Sequence, residues 1–189
     1  LRVIRVGTHA LKRGSKTTLW RRLRQHRGYI KGSLPAGGNH RCSVFRKHVG
    51  HALINKNQFD AKFSKKWGSG SSAERETKEM EYSIEKEVSK HIRDMAFIYI
   101  GIEDAAGPES MRAYVERNSI ALLSNFGKTE IDPPSKNWLG RFNYNEKIAL
   151  SGLWNINHVD ELVNENFISV FEEQQKSFIL DNSAAEAYE

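Results

Sequence analysis

AFIYIGIEDAAGPESMRAYVERNSIALLSN, residues 96–125, decides how the chain is read. Its first seven residues form an apolar run rich in branched and aromatic side chains, the pattern of a buried strand. Gly107 and Pro108 then break the chain and introduce a helix over 109–125, with proline where a helix starts. Glu116 lies in that helix among Tyr114, Val115, Ile120, Leu122 and Leu123. A helix that buries so much of its surface carries this carboxylate into a partly desolvated place. There it either pairs with an arginine or binds a hard divalent cation such as Mg2+, which takes one or two carboxylates plus waters.

Working outward, Val3, Ile4 and Val6 alternate with Arg2 and Arg5 before Gly7, which reads as a strand ending in a turn. The chain opens on Leu1 already inside that pattern, as expected for a piece of a longer protein. A basic loop over 9–18 leads to Thr17 or Thr18 as the cap of a helix over 19–26, with Leu19, Leu23 and Trp20 as its buried stripe. A second amphipathic helix is predicted over 43–55, with Val44, Phe45, Val49, Ala52 and Leu53 facing inward. GSGSS at 68–72 reads as a flexible connector, and 74–95 as a charged helix with Met80, Ile84, Val88 and Ile92 in one narrow stripe. DPPSKNW at 132–138 is a turn, 146–151 a short helix, SGLWNINHV at 151–159 a polar and aromatic loop, and 164–178 a last helix before a frayed tail. The order strand, helix, long helical stretch, strand, helix predicts one α+β domain over 1–189 with a small sheet. Within it, a basic helical insertion covers about 29–95 and a helical extension about 133–189.

Charge narrows the function. The net charge is +6, but residues 1–68 hold 17 Lys and Arg against one acid, Asp60, while the remainder holds 12 against 22. So cationic a first third repels itself unless a polyanion is the partner or the acidic remainder neutralises it, and nucleic acid is the natural polyanion. His9, Lys16, Arg21, Arg24 and Arg41 are the candidate contacts. No apolar run reaches the roughly 18 residues a membrane helix needs, and the start lacks a signal-peptide pattern, so no membrane partner and a cytoplasmic location are expected. Cys42 is the only cysteine, which excludes an internal disulfide and a multi-cysteine zinc knuckle.

On the basic helix, Arg22 and His26 are four residues apart, which puts both on one face about 5–6 Å apart at Cβ. Arginine offers a planar fork to a phosphate, and histidine can relay a proton near neutral pH. Arg5-Val6-Gly7, then Leu19-Trp20-Arg21-Arg22-Leu23 with His26, and later Glu116-Arg117-Asn118-Ser119-Ile120 follow in an order and local spacing that resemble the GIY-YIG nucleases. In those enzymes a strand ending in tyrosine, an aliphatic residue and glycine leads to a helix with leucine, two variable residues, arginine and leucine, and later to a helical glutamate. The stretches RVGTH, LWRRLRQHRG, GGNHR and ERNSIALLSN also look like a group of bacterial GIY-YIG-like proteins, over most of the chain.

The resemblance implies a small antiparallel sheet flanked by helices and a DNA endonuclease that hydrolyses phosphodiester bonds with Mg2+ or Mn2+. It further implies that Arg22 contacts the scissile phosphate, Glu116 holds the single metal ion and His26 assists the base, with Asn125 matched to the family's asparagine. Two departures stand out. The family's first strand would precede Leu1, and Arg5 stands where its second motif has tyrosine. A catalytically inactive nucleic-acid-binding module on the same fold is therefore the alternative. Two further readings remain open: a zinc site from His40, Cys42, His48 and His51, whose spacing matches no standard finger, and a base-stacking platform from Trp154 with Asn155, Asn157 and His158.

Overall fold

Ser43 starts the central helix by accepting a hydrogen bond from Arg46 N–H (3.2 Å), which satisfies one of the donors a helix start leaves free. The computed structural model describes residues 2–59, 67–130 and 132–186, with side chains through 176. Within them the helices are α1 (Leu19–Arg27), α2 (Val44–Lys56), α3 (Arg75–Arg93), α4 (Met111–Leu123), α5 (Glu146–Ser151) and α6 (Phe167–Glu186). Short 3-10 turns at His40–Cys42 and Leu139–Phe142 precede α2 and α5. Thr18, Ser110 and Asn145 cap α1, α4 and α5 with side-chain oxygens. No helix among the described residues is long and apolar enough to cross a membrane.

The helices assemble around two apolar clusters. The larger joins Phe45, Val49, Ala52 and Ile54 of α2 to Ile84, Val88 and Ile92 of α3, and closes with Trp67, Trp138, Leu139, Ile148 and Trp154. The smaller contains Ile120 of α4 with Leu153 and Val159. Extended residues 2–8 touch both clusters, Ile4 packing on the first and Val6 on the second.

The expected α+β architecture with an antiparallel sheet is overturned: no strand is present among the described residues. A ladder needs a neighbour that offers alternating backbone donors and acceptors. Residues 2–8 lie instead against the loop at 152–156, where Trp154 N–H donates to Ile4 O (2.7 Å). The next contact is made by a side chain: the Asn155 amide accepts from Val6 N–H (3.1 Å) and donates to Val6 O (2.9 Å). An amide that occupies the partner strand's place ends the ladder after one backbone bond. Residues 96–102, expected as a buried strand, form no regular secondary structure and lie partly at the surface, with Phe97 61% and Ile98 86% exposed.

Other readings change in detail. Val44 of α2 and Met80 of α3, expected inside, are exposed, and Trp20 of α1 is 66% exposed. In α3 the apolar row is flanked by a second buried row, Glu81, Glu85 and Ser89. The GSGSS connector is anchored: Trp67 stacks on His40 with ring centroids 3.8 Å apart, Gly68 N–H donates to His40 Nε2 (3.0 Å), and Arg41 Nε donates to Ser69 O (3.2 Å). The last helix continues to Glu186, past the 178 at which it was expected to end.

Candidate active site

α1 carries Arg22 and His26, yet none of its residues is fully buried. It is held by its C-terminal carbonyls, which a helix leaves without internal partners. Gly28 N–H donates to Arg24 O (3.2 Å), Arg46 Nη1 of α2 to His26 O (2.9 Å), and Arg93 of α3 to Arg27 O (3.2 Å) and Tyr29 O (2.6 Å). Gly28 has φ +81°, and a Cβ there would stand 2.3 Å from Gly37 O, so only glycine turns the chain at this point.

Arg46 ties α1, α2 and α3 together. Fully buried, it pairs with Glu85 and also donates to Glu85 O and Ser89 Oγ (both 3.0 Å). The other oxygen of Glu85 takes the His40 backbone N–H (2.6 Å) and meets His40 Nδ1 (2.9 Å). The His40 bonds and Arg46 together hold the Glu85 carboxyl below its usual range, against the burial that alone would raise it.

Beneath α1, His26 Nδ1 meets Ser43 Oγ (2.7 Å), and its ring stands edge-on to Phe45 with centroids 5.5 Å apart. Burial, reinforced by Arg22, Arg5 and Arg46, pushes His26 down to about 3, so it is neutral near pH 7. Facing it is the start of the chain. Arg5 Nη1 donates to Trp154 O (2.9 Å) while the guanidinium lies over the Phe45 ring, 5.4 Å from its centre.

Glu116 arrives from α4 and accepts a hydrogen bond from Thr8 N–H at Oε1 (3.1 Å). A Cβ on Gly7 would lie 3.8 Å from Arg5 Nη2, 3.9 Å from Arg5 Nε and 4.0 Å from Glu116 Oε1, so both side chains border the space above this glycine. Burial raises the Glu116 carboxyl even though Thr8 N–H, Arg5, His158 and Arg22 all favour its ionised form. Arg5 is lowered to about 10 by burial, with Glu116 opposing and Arg22 adding to the shift. Arg5 and Arg22 thus lie close enough to act on both His26 and Glu116.

The model for the GIY-YIG domain matches residues 1–179. The chain belongs to the GIY-YIG family. It matches no curated protein and no solved structure. The family is one of nucleases that act on nucleic acid and in general depend on a divalent metal.

Within this GIY-YIG chain the other sequence candidates separate. Lys16, Arg21 and Arg24 are exposed on the loop and outer face around α1. His9 is half-buried, its pKa lowered by burial and then by Arg112. Arg41 is committed to Glu81 through two hydrogen bonds (2.7 and 2.8 Å). Asn125 is buried and donates to Asp132 O (3.0 Å). Trp154 is 1% exposed in the main cluster, far from a stacking platform, while its carbonyl positions Arg5. His158, with φ +64°, meets Glu161 Oε1 (2.8 Å) and lies close enough to favour the ionised Glu116.

Among the described residues no group of three or more His, Cys, Asp or Glu side chains could hold a metal ion, and His40 of the suspected zinc set has both ring nitrogens engaged. Glu116 fits a different arrangement. One carboxylate, with Oε2 free of hydrogen bonds among the described residues and burial making its charge costly, suits a hard cation completed by water and phosphate oxygens.

Sequence reading missed Ser43, Phe45, Arg46 and Glu85 as supports of this site. Only the buried rows of α2 and α3 meeting in space reveal them; an isolated arginine or glutamate on a helix reads as a solvated charge.

Proposed function

We propose that this chain is a divalent-metal-dependent endonuclease that hydrolyses phosphodiester bonds in DNA. The observation that carries it is an under-stabilised Glu116 that shares the electrostatic influence of Arg22 and Arg5 with His26, in a chain whose first third is strongly cationic. Glu116 would hold Mg2+ or Mn2+, which when bound supplies electrostatic stabilisation of the oxygen that leaves phosphorus.

The chain's own residues account for the rest. The Arg22 guanidinium stabilises the charge that builds on the phosphoryl oxygens in the transition state. His26, neutral at the working pH, assists the base by accepting a hydrogen bond from the attacking water at Nε2 and so orienting it, which requires that Nδ1 carry its hydrogen and donate it to Ser43 Oγ. Phe45 excludes water from one side of that ring. Lys16, Arg21 and Arg24 contact the DNA backbone from the exposed face of α1 and its preceding loop, and His9 does so from beside α4.

The test is nicking of supercoiled plasmid with Mg2+ or Mn2+ by the full chain and by Glu116→Ala. Relaxation by the parent that the variant loses, with DNA affinity nearly unchanged, is the expected result. Arg5 in the place of the family's tyrosine favours a second reading, a binding module without hydrolysis. Salt-sensitive DNA binding with no nicking by either protein would establish that module instead.

A further inference from the structure

Arg5 is held on two sides and has an unpaired edge on the third. Its Nη1 is used by Trp154 O and one face of the guanidinium rests over Phe45, while Nε and Nη2 have no protein acceptor among the described residues. That free edge borders the space above Gly7, which Glu116 Oε1 also borders, each within 4.0 Å of one point. The two do not form an ion pair: Oε1 is occupied by Thr8 N–H, and no salt bridge among the described residues joins them. A second cation, Arg22, is close enough that each positive charge opposes the other, and a single half-shielded carboxylate does not neutralise both.

A guanidinium fixed by a carbonyl and a ring, with two donors left without a protein acceptor among the described residues and a second arginine adding to the local positive charge, suits planar or tetrahedral oxygens of an anion. We propose that Arg5 is a second phosphate-contacting arginine, which holds the scissile phosphodiester through Nε and Nη2 together with Arg22. The proposal rests on the nuclease reading for the identity of the bound group as a scissile phosphodiester. Neither donor is consumed by the fold, so Arg5 serves the substrate as well as tying residues 2–8 to the 152–156 loop. Its pKa of about 10 leaves it charged at neutral pH, so it binds and stabilises and takes no proton from water.

The purely structural alternative is that Arg5 acts only as a strut to Trp154 O. Lysine can keep one donor to that carbonyl and the positive charge but lacks the fork. The experiment compares the full chain with Arg5→Lys and Arg5→Ala in four measurements: thermal midpoint, kcat and KM on a short DNA duplex with Mg2+, the activity of Arg5→Ala with added guanidinium ion, and, in the parent, the Arg5 side-chain Nε–Hε NMR resonance during titration with inorganic phosphate and with that duplex under metal-free conditions.

The expected result has four parts. The resonance moves with both ligands. Arg5→Lys keeps the thermal midpoint of the parent. It loses about 100-fold in kcat with KM changed far less, as removal of one transition-state donor does. Added guanidinium ion restores part of the activity of Arg5→Ala, which a lost strut would not allow. A resonance unmoved by phosphate and duplex, or an Arg5→Lys enzyme as fast as the parent, would overturn the proposal. If the parent hydrolyses nothing while the resonance still moves with phosphate, the nuclease reading fails and the phosphate contact of Arg5 stands.

Discussion

Glu116 and His26 are both influenced by Arg5 and Arg22 but respond to pH with opposite sign. Burial depresses His26 from 6.5 to about 3, so between those values the unfolded chain binds the proton that the folded chain refuses. Stability from this group is complete above pH 6.5 and is lost as pH falls toward 3. His48 and His51, both lowered to about 4 mainly by burial, add to the same trend. Glu116 is raised from 4.5, so the folded chain holds its proton longer, and its contribution to stability falls as pH rises through the raised value. The histidines outnumber it, and the thermal midpoint should drop as pH is lowered from 6.5 to 4; His26→Gln should flatten that dependence, which a melting series across this range checks. Metal affinity should follow Glu116 alone. Mn2+ binding measured by isothermal calorimetry should weaken on acidification at a pH above the ordinary glutamate value, because the proton and the metal compete for one carboxylate. Arg22→Ala should lower kcat by about 100-fold or more while the fold persists, since no hydrogen bond of Arg22 other than that to Gln25 Oε1 (3.2 Å) is lost among the described residues.

The elements depend on arginines that bridge them. α1 has no fully buried residue, so its position rests on Arg46 and Arg93 meeting its last carbonyls. Arg93 is partly exposed, and Arg93→Ala should leave the thermal midpoint almost unchanged yet reduce nicking, by up to about 100-fold if α1 shifts by about an ångström. Glu85→Ala is expected to do the opposite in kind: it strands Arg46 and His40 without their partner inside the protein, at a cost of about 3–5 kcal/mol. Urea denaturation of that variant measures this directly. The start of α1 was readable because Thr18 precedes the helix, and the approximate extents of α2, α3 and α4 followed from apolar spacing that only a helix presents to one side. The buried row Glu81, Glu85 and Ser89 was not, because a polar residue is buried only when another element brings its partner, and those partners sit 39 to 52 positions away in sequence.

At the scale of the molecule, charge and chain order were legible and pairing was not. The excess of 17 cations over one acid in residues 1–68 is a property of composition, and it predicts DNA binding that weakens steeply with salt. Lys16→Ala or Arg24→Ala should each flatten the slope of log affinity against log salt by about one unit, measured by fluorescence anisotropy, with kcat at saturating DNA nearly unchanged. Residues 29–95, set apart by chain order as an insertion, supply most of the larger apolar cluster, so the site rests on them. The sequence by itself determined the family and the helices near the site, because spacing and motif order are local. Only the tertiary structure decided that residues 2–8 and 96–102 form no ladder, that Arg41 is spent on Glu81, and that Arg5 faces Glu116 with two donors free. Each of those outcomes depends on which distant group reaches a given donor or acceptor first, and hydrogen bonds and ion pairs of that kind are settled by packing in space, which periodicity along the chain does not encode.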